Sequence, residues 1–503
     1  MNRILVRVDA NAEIGWGHLI RCLAVADAWR DLGGRAALVM RRGASSAAVI
    51  ERARSRGHRC FELPADATPA DDCRYLRSVA QTIAADWVVL DGYHFSTEYQ
   101  SRIRGAGLGL AVFDDTGHLP GYDCDVLINS SPAASEIVYN CDAATRKLLG
   151  PGYVPLRTEV RVLRPARAPA GQARRVLVTL GGGDAGELVQ KVAAALHSVE
   201  RSELEVQFVV GPSKANAAAM VDALAQAPDA RIEIVSATDD LPARMAWADV
   251  AISAAGGTLW ELAYLGVPTL AVIRADNQRP IAEALAERGA AISLCDARQA
   301  LPEVIAQHLQ TLLNSPATRA AMSAAGRELI DGRGAMRIAR EIRRGQLQFR
   351  PAVDDDREVM WHWANEPGVR AQSFIQQSIE WSTHCEWFAA QLGDSDSLLL
   401  VVHSPAGDPV GQVRFQRRCD LAVTSVSIDR SFRGQGLGPR LLRRAVGQAF
   451  GRWPGVARLE AEIKLSNLAS RRAFELAGFR AVGSREHGGV AALVFRRERE
   501  ESI

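Results

Sequence analysis

The chain has 503 residues, enough for about three domains. Hydrophobic residues make up 48% and charged residues 23%, the balance of ordinary globular protein, so each domain can bury a core. A formal net charge of +2 leaves no basic excess for nucleic-acid phosphates or a membrane surface, and no apolar run approaches the roughly 18 residues of a membrane span.

Taken in chain order, residues 3–9 read as a first strand, 20–32 as a helix ending at Gly33-Gly34, and 35–40 as a second strand. A helix and a short strand follow, then strands over 87–91 and 108–113. Several of these strands are continuous apolar runs, the pattern of a parallel sheet covered on both faces. Residues 161–171 are rich in Pro, Ala and Arg and read as a linker. Strands over 175–180, 206–210, 232–235, 250–252 and 269–272 then alternate with helices. A second break falls at Arg344-Gly345-Gln346. Beyond it, helices over 355–364, 380–392 and 437–450 mix with strands over 397–403, 409–415, 421–428 and 457–463. The expected fold class is α/β: two Rossmann-like domains, 1–160 and 161–345, in a GT-B arrangement, then an α+β domain over 350–503. The eight cysteines include no C-x-x-C pair and no zinc spacing, and the N-terminus has no signal-peptide core, so a cytoplasmic protein with reduced thiols and no metal is expected.

Chemistry-bearing loops follow several strands. Gly15-Trp16-Gly17-His18-Leu19-Ile20-Arg21 is a glycine turn running into a helix, where backbone N–H groups and the helix dipole favour an anion. It is not G-x-G-x-x-G, which argues against a dinucleotide. His18 either caps or packs the helix, or faces a cleft as a general base. After the strand at 250–252, Gly256-Gly257-Thr258 suits a diphosphate and Glu261 a ribose, although Thr258 and Glu261 also have capping-box spacing. Gly181-Gly182-Gly183 is a second phosphate-sized loop, and Asn277-Gln278 supplies amides for sugar hydroxyls or an acetamido group. Together they place a ligand at the carboxyl edges of the sheets.

These segments, with Asp91-Gly92-Tyr93, Phe113-Asp114-Asp115 and Leu156-Arg157, resemble the UDP-sugar hydrolases of pseudaminic acid biosynthesis over about residues 1–340. That family is similar in fold to the UDP-GlcNAc transferase of peptidoglycan synthesis. The resemblance implies that His18 activates water for inverting attack at the anomeric carbon of UDP-2,4-diacetamido-2,4,6-trideoxy-β-L-altropyranose. It implies substrate contacts from Gly17, Arg21, Asp91, Tyr93, Arg157, Gly181, Gly257, Thr258, Glu261 and Asn277, with Glu261 at the ribose or uracil end, and no metal.

In the last domain, Arg433-Gly434-Gln435-Gly436-Leu437-Gly438 follows a strand and opens a helix, so its N–H groups can cradle a pyrophosphate. It matches the coenzyme A loop of the GNAT acetyltransferases. The resemblance implies acetyl-CoA as co-substrate, held by Val426, Ile428, residues 433–438, Asn467 and Ser470, with Asn467 on the pantetheine arm. Phe474 stands where many relatives carry a tyrosine that protonates the departing thiolate, a role phenylalanine cannot fill. Glu462 or a water chain is the candidate base for the acceptor amine. The aromatic segments 361–363 and 384–388 resemble acceptor-side helices, or are core.

The leading expectation is a bifunctional enzyme that acetylates the 4-amine of a UDP-4-amino-4,6-dideoxy-2-acetamido-L-altrose and then hydrolyses the product. The alternatives are a GT-B glycosyltransferase, a hydrolase for a related legionaminate-type diamino sugar, or a sugar-nucleotide-binding regulator whose GNAT domain modifies protein amines.

Overall fold

The computed structural model describes residues 3–10, 16–43, 47–163, 171–181, 186–199, 204–210, 231–236 and 240–499. Gly15, Gly182 and Gly183 of the expected loops, and most of the expected linker, lie outside these residues.

The first sheet has seven parallel strands: β1 (Arg3–Val8), β2 (Arg35–Arg41), β3 (Arg59–Leu63), β4 (Trp87–Asp91), β5 (Gly109–Phe113), β6 (Val126–Asn129) and β7 (Arg146–Leu149). Their order is β3-β2-β1-β4-β5-β6-β7, so the winding direction reverses between β1 and β4. β4 and β5 are buried at every residue, as strands covered by helices on both faces must be.

The second sheet has six parallel strands: β8 (Arg175–Thr179), β9 (Glu205–Val210), β10 (Arg231–Ser236), β11 (Val250–Ala254), β12 (Thr269–Ile273) and β13 (Ile292–Asp296). Its order, β10-β9-β8-β11-β12-β13, reverses between β8 and β11.

The sequence break at 344–345 coincides with the end of helix Gly334–Arg344, but that helix packs on the first domain. Its Ala335, Ile338, Ala339 and Ile342 join the core built from Val6, Leu23, Val89 and Ile128. The Arg146 guanidinium, on β7, donates to Glu341 at 2.9 Å, and Arg343 donates to the Leu32 carbonyl at 2.9 Å. Each fully buried isoleucine of this helix stabilises the attachment by about 1.5–3 kcal/mol.

The third domain carries a seven-stranded sheet: β14 (Gln348–Pro351), β15 (Ser397–His403), β16 (Pro409–Arg418), β17 (Leu421–Ile428), β18 (Arg458–Lys464), β19 (Arg480–His487) and β20 (Val490–Glu498). Its order is β14-β15-β16-β17-β18-β20-β19, antiparallel except where β17 meets β18. This domain rests on the edge of the first sheet where the strands begin. Arg444 pairs with Asp86, just before β4, at 2.5 Å. Arg497 donates to the Gly105 carbonyl, before β5, at 3.0 Å. Arg440 lies 3.5 Å from Asp125, before β6, and 4.9 Å over the Trp87 ring.

Burial pulls Arg443 down to about 10, with Arg104 adding to the effect. Burial alone would raise the Asp125 carboxyl, but Arg440 and Arg104 outweigh it and hold it below the ordinary carboxylate range. Among the described residues no helix is long and apolar enough to cross a membrane.

Asp125 therefore holds the docked domain through charge. Asp125→Asn is expected to destabilise the chain by about 3–5 kcal/mol, because it takes from the buried Arg440 its carboxylate and leaves Arg104 with Asp123 alone. Since its folded-state carboxyl is depressed, the stability it supplies is complete above the unfolded value of about 3.9 and is lost as pH falls through the folded one. Thermal melts from pH 7 to 3 should accordingly show a constant gap between the two proteins down to about pH 4 and a narrowing one below it.

Candidate functional site

In the first domain the site assembles where the winding reverses. Helix Gly17–Asp31 starts three residues earlier than its periodicity suggests, which puts His18 in its first turn. The N-cap is Trp16, and the histidine does not cap the helix. Its Nδ1 instead lies 2.6 Å from Asp91 Oδ1, at the end of β4. Arg21, one turn on, donates from Nε to Asp91 Oδ2 and from Nη2 to Oδ1, both at 2.6 Å, and from Nη1 to Asp115 at 2.7 Å.

Asp91 is 1% exposed. Burial would raise its carboxyl, but Arg21 and His18 outweigh that and leave it far below the usual range. A carboxylate bonded to Nδ1–H fixes the tautomer in which Nε2 is the basic nitrogen. Asp91 was expected to touch sugar; its oxygens are instead spent on His18 and Arg21, behind the surface. Arg21, likewise expected at the substrate, is tied to two carboxylates and to the Phe113 ring, 4.8 Å away.

The Tyr93 hydroxyl donates to Asp115 at 2.9 Å, and Asn277 of the second domain comes near enough to bear on its titration. Burial, and then the Asp115 charge, push its phenol well above the ordinary value, so it stays a neutral donor. Its ring stands edge-on between His18 at 5.3 Å and His118 at 5.4 Å. Asp115 was read only as part of the Phe113-Asp114-Asp115 segment, with no role of its own, and His118 was not singled out from the sequence. Neither was the wholly buried Arg7, which donates to Asp9 at 2.6 Å and to Asp72 at 2.8 Å, where β1 leads into the glycine loop. Arg7 was legible as a lone charge inside the run Ile4-Leu5-Val6-Arg7-Val8.

In the second domain, helix Gly257–Leu265 begins with Gly256 as N-cap and no side-chain cap, so the capping box expected from Thr258 and Glu261 does not form. Glu261 is buried and takes two bonds from Arg157, at 2.7 and 2.6 Å. These two candidate substrate contacts thus answer each other across the linker. Gly257 is exposed and Thr258 half-buried at the helix start, facing outward as a phosphate site requires. Gly181 has φ +86, and an added Cβ would lie 3.3 Å from Arg274 Nη1. Arg274, Ala275 and Asp276 line a cavity of about 590 Å³ with Gly186, Glu187 and Arg298. Arg274 is a cation at this edge that the sequence reading passed over.

The third domain opens along its parallel seam. The β17–β18 ladder covers only Leu421–Val423 against Arg458–Glu460, yet the strands run on to Ile428 and Lys464. Val426 and Ile428 lie on the diverging part. Thr424 Oγ1 and Ser427 Oγ are buried there without a hydrogen-bond partner. Gly436, φ +67, caps helix Leu437–Arg452, and an added Cβ would lie 2.4 Å from Ala144 of the first domain. At Gly438 an added Cβ would lie 3.2 Å from Ala473, so glycine lets the two helices approach.

Arg433 is held by the Ile428 carbonyl and Glu366, both at 2.9 Å, and Gln435 by the Ser431 carbonyl at 3.1 Å. Asn467 Oδ1 accepts the Ser470 N–H at 3.1 Å and caps helix Leu468–Leu476, so any bond to a ligand comes from its Nδ2. Phe474 is buried against Phe479 and Phe495, a core role. Trp363 and Phe388 are also core, whereas Trp361 stands edge-on to Trp381, which is 43% exposed.

Residues 175–334 match the glycosyltransferase family 28 C-terminal domain, and residues 346–480 match the acetyltransferase (GNAT) domain. The chain is 21% identical to an uncharacterized protein of Methanocaldococcus jannaschii over 95% of its own length and 96% of that protein. It is 29% identical to the spore coat polysaccharide biosynthesis protein SpsG of Bacillus subtilis, over 39% of this chain and 57% of the relative. It is 38% identical to the UDP-N-acetylglucosamine–N-acetylmuramyl-(pentapeptide) pyrophosphoryl-undecaprenol N-acetylglucosamine transferase of Xanthomonas axonopodis pv. citri, over 37% and 44%. The MurG structure from Acinetobacter baumannii superposes with a TM-score of 0.50 at 18% identity, covering 68% of this chain and 99% of MurG. The chain is therefore a mixed α/β protein with a MurG-like GT-B fold and a C-terminal GNAT-like sheet domain.

Arg157→Met would leave the Glu261 carboxylate buried without its partner. The expected cost is about 3–5 kcal/mol in a urea melt, against a much smaller cost for the double variant that also carries Glu261→Leu.

Proposed function

We propose that the chain is a bifunctional nucleotide-sugar enzyme: an N-acetyltransferase that uses acetyl-CoA, fused to a hydrolase that releases UDP. In this reading the third domain acetylates the 4-amine of a UDP-4-amino-4,6-dideoxy-2-acetamido-L-altrose. The first two domains then cleave UDP-2,4-diacetamido-2,4,6-trideoxy-β-L-altropyranose to UDP and free sugar. The observation that carries the hydrolytic half is the 2.6 Å bond from His18 to the buried Asp91 at the point where the first sheet reverses, facing Tyr93 and Asn277 across the cleft.

With Nδ1 committed to Asp91, His18 Nε2 takes a proton from water as its oxygen attacks the anomeric carbon. The bond from that carbon to the β-phosphate oxygen breaks, and UDP leaves with the bonding pair. The helix start at Gly257-Thr258 and the Arg274 cation face the departing phosphates. Asp91 stabilises the imidazolium that forms. The match of residues 346–480 to the GNAT domain, with the glycine cradle at 433–438 beside a parted β17–β18 seam, supports acetyl-CoA as the co-substrate.

A second reading, a glycosyltransferase, is favoured by the match of residues 175–334 to a glycosyltransferase domain. One assay separates them: the purified chain is given the UDP-4-amino sugar with and without acetyl-CoA, and products are read by mass. Gain of one acetyl group followed by UDP release in water alone supports the hydrolase. Acetylation with no UDP release until an acceptor is added supports the transferase. Turnover of only a D-configured sugar points to the legionaminate-type series. His18→Asn is expected to retain nucleotide-sugar binding and lose UDP release by about 10²–10⁴-fold, the range of a general base, while acetyl transfer continues.

A further inference from the structure

We propose that His487, oriented by Glu462, is the general base of the acetyl-transfer site; this rests on the acetyltransferase reading of the third domain. Glu462 lies on β18 beyond the last residue paired with β17, at the mouth of the parted seam. Both its carboxylate oxygens are engaged: Arg485 Nη1 donates to Oε1 and His487 Nε2 lies against Oε2, each at 2.5 Å. With both oxygens already in hydrogen bonds, the carboxylate does not present itself to an incoming amine, so the candidacy passes to the histidine. With Nε2–H given to Glu462, Nδ1 is the basic nitrogen.

His487 ends β19 and its side chain is 41% exposed. The ring packs at 4.5 Å on Phe374, from the segment between helices Pro367–Gln372 and Trp381–Gly393. Lys464 Nζ ties the last turn of helix Pro367–Gln372, which leads into that segment, to β18 through the Ala371 carbonyl at 3.1 Å. β20 lies between β18 and β19, so Glu462 reaches over it to the imidazole, and Phe374 and His487 form an apolar and a basic group side by side, as a primary amine on a ring-shaped acceptor requires. The charged groups around the imidazole are Glu462, Glu460 and Lys464 from β18, Arg485 and Glu486 from its own strand, and Arg370, which donates to the Ile375 carbonyl of the Phe374 segment.

An incoming ammonium gives one proton to His487 Nδ1. The freed amine attacks the thioester carbon, the N–C bond forms, and the C–S bond breaks with its electron pair on sulfur. The nitrogen's second proton passes through water to the thiolate, since Phe474 has none to give. His487 then releases its proton to solvent.

The test is steady-state acetyl transfer by the full chain, read as free thiol, with the UDP-4-amino sugar as acceptor. If wild type leaves that sugar untouched, the sugar assignment fails by itself and a diamine or an aminoglycoside replaces it as the probe amine. His487→Gln is expected to lower kcat by about 10²–10⁴-fold with KM for acetyl-CoA unchanged. Its residual rate should climb with pH as the amine loses its own proton, without the acid limb of wild type. Glu462→Gln should keep that limb, displaced, with a smaller loss. A His487→Gln rate within twofold of wild type, or a kcat loss matched by lost acetyl-CoA affinity, would overturn the assignment.

Discussion

The N-terminal site depends on one carboxylate kept ionised out of water. Asp91 ends an apolar strand, and the cost of burying its charge is offset only because His18 and Arg21, one helical turn apart, both reach it. Their spacing on helix Gly17–Asp31 places both groups on the face that looks at the first sheet. Arg21 extends the arrangement to Asp115, which holds Tyr93, which meets Asn277 of the second domain. A chain of charge-assisted bonds thus runs from the interior of the first sheet through Asp91, Arg21 and Asp115 to Tyr93, and each member fixes the geometry of the next.

Much of this architecture is legible in the sequence, because buried parallel strands are written as unbroken apolar runs. The strands at 87–91, 397–403 and 421–428 fall where their composition puts them. The elements that escape are those whose burial is not their own. β6 and β7 are four residues each, too short for a periodic signal. β19 is exposed along its whole length, so no alternation marks it, and its register comes entirely from β20. Helix Gly334–Arg344 is plainly amphipathic, but no pattern in it says that its apolar stripe belongs to a domain begun some three hundred residues earlier.

The sites divide in the same way. Residue types and loop positions point to His18, Asn277 and the 433–438 cradle. Pairings are not legible, because a sequence does not say which carboxylate a guanidinium will find. Arg157 and Glu261 look like two ligand contacts and are each other's partner. Asp91 looks like a sugar contact and is the histidine's support. Glu462 looks like a base and is already shared between Arg485 and His487.

The docking of the third domain has a consequence for the placement of the two sites. All strands of the first sheet run in parallel, so their beginnings and ends form opposite rims. His18, Asp91 and Tyr93 occupy the rim where strands end, while Arg440, Arg444 and the Gly436 loop grip the rim where they begin. The covalent fusion therefore holds the GT-B-like pair and the GNAT-like domain at equal copy number on one shared scaffold, with the docking contacts on one rim of the first sheet and the His18 cluster on the other.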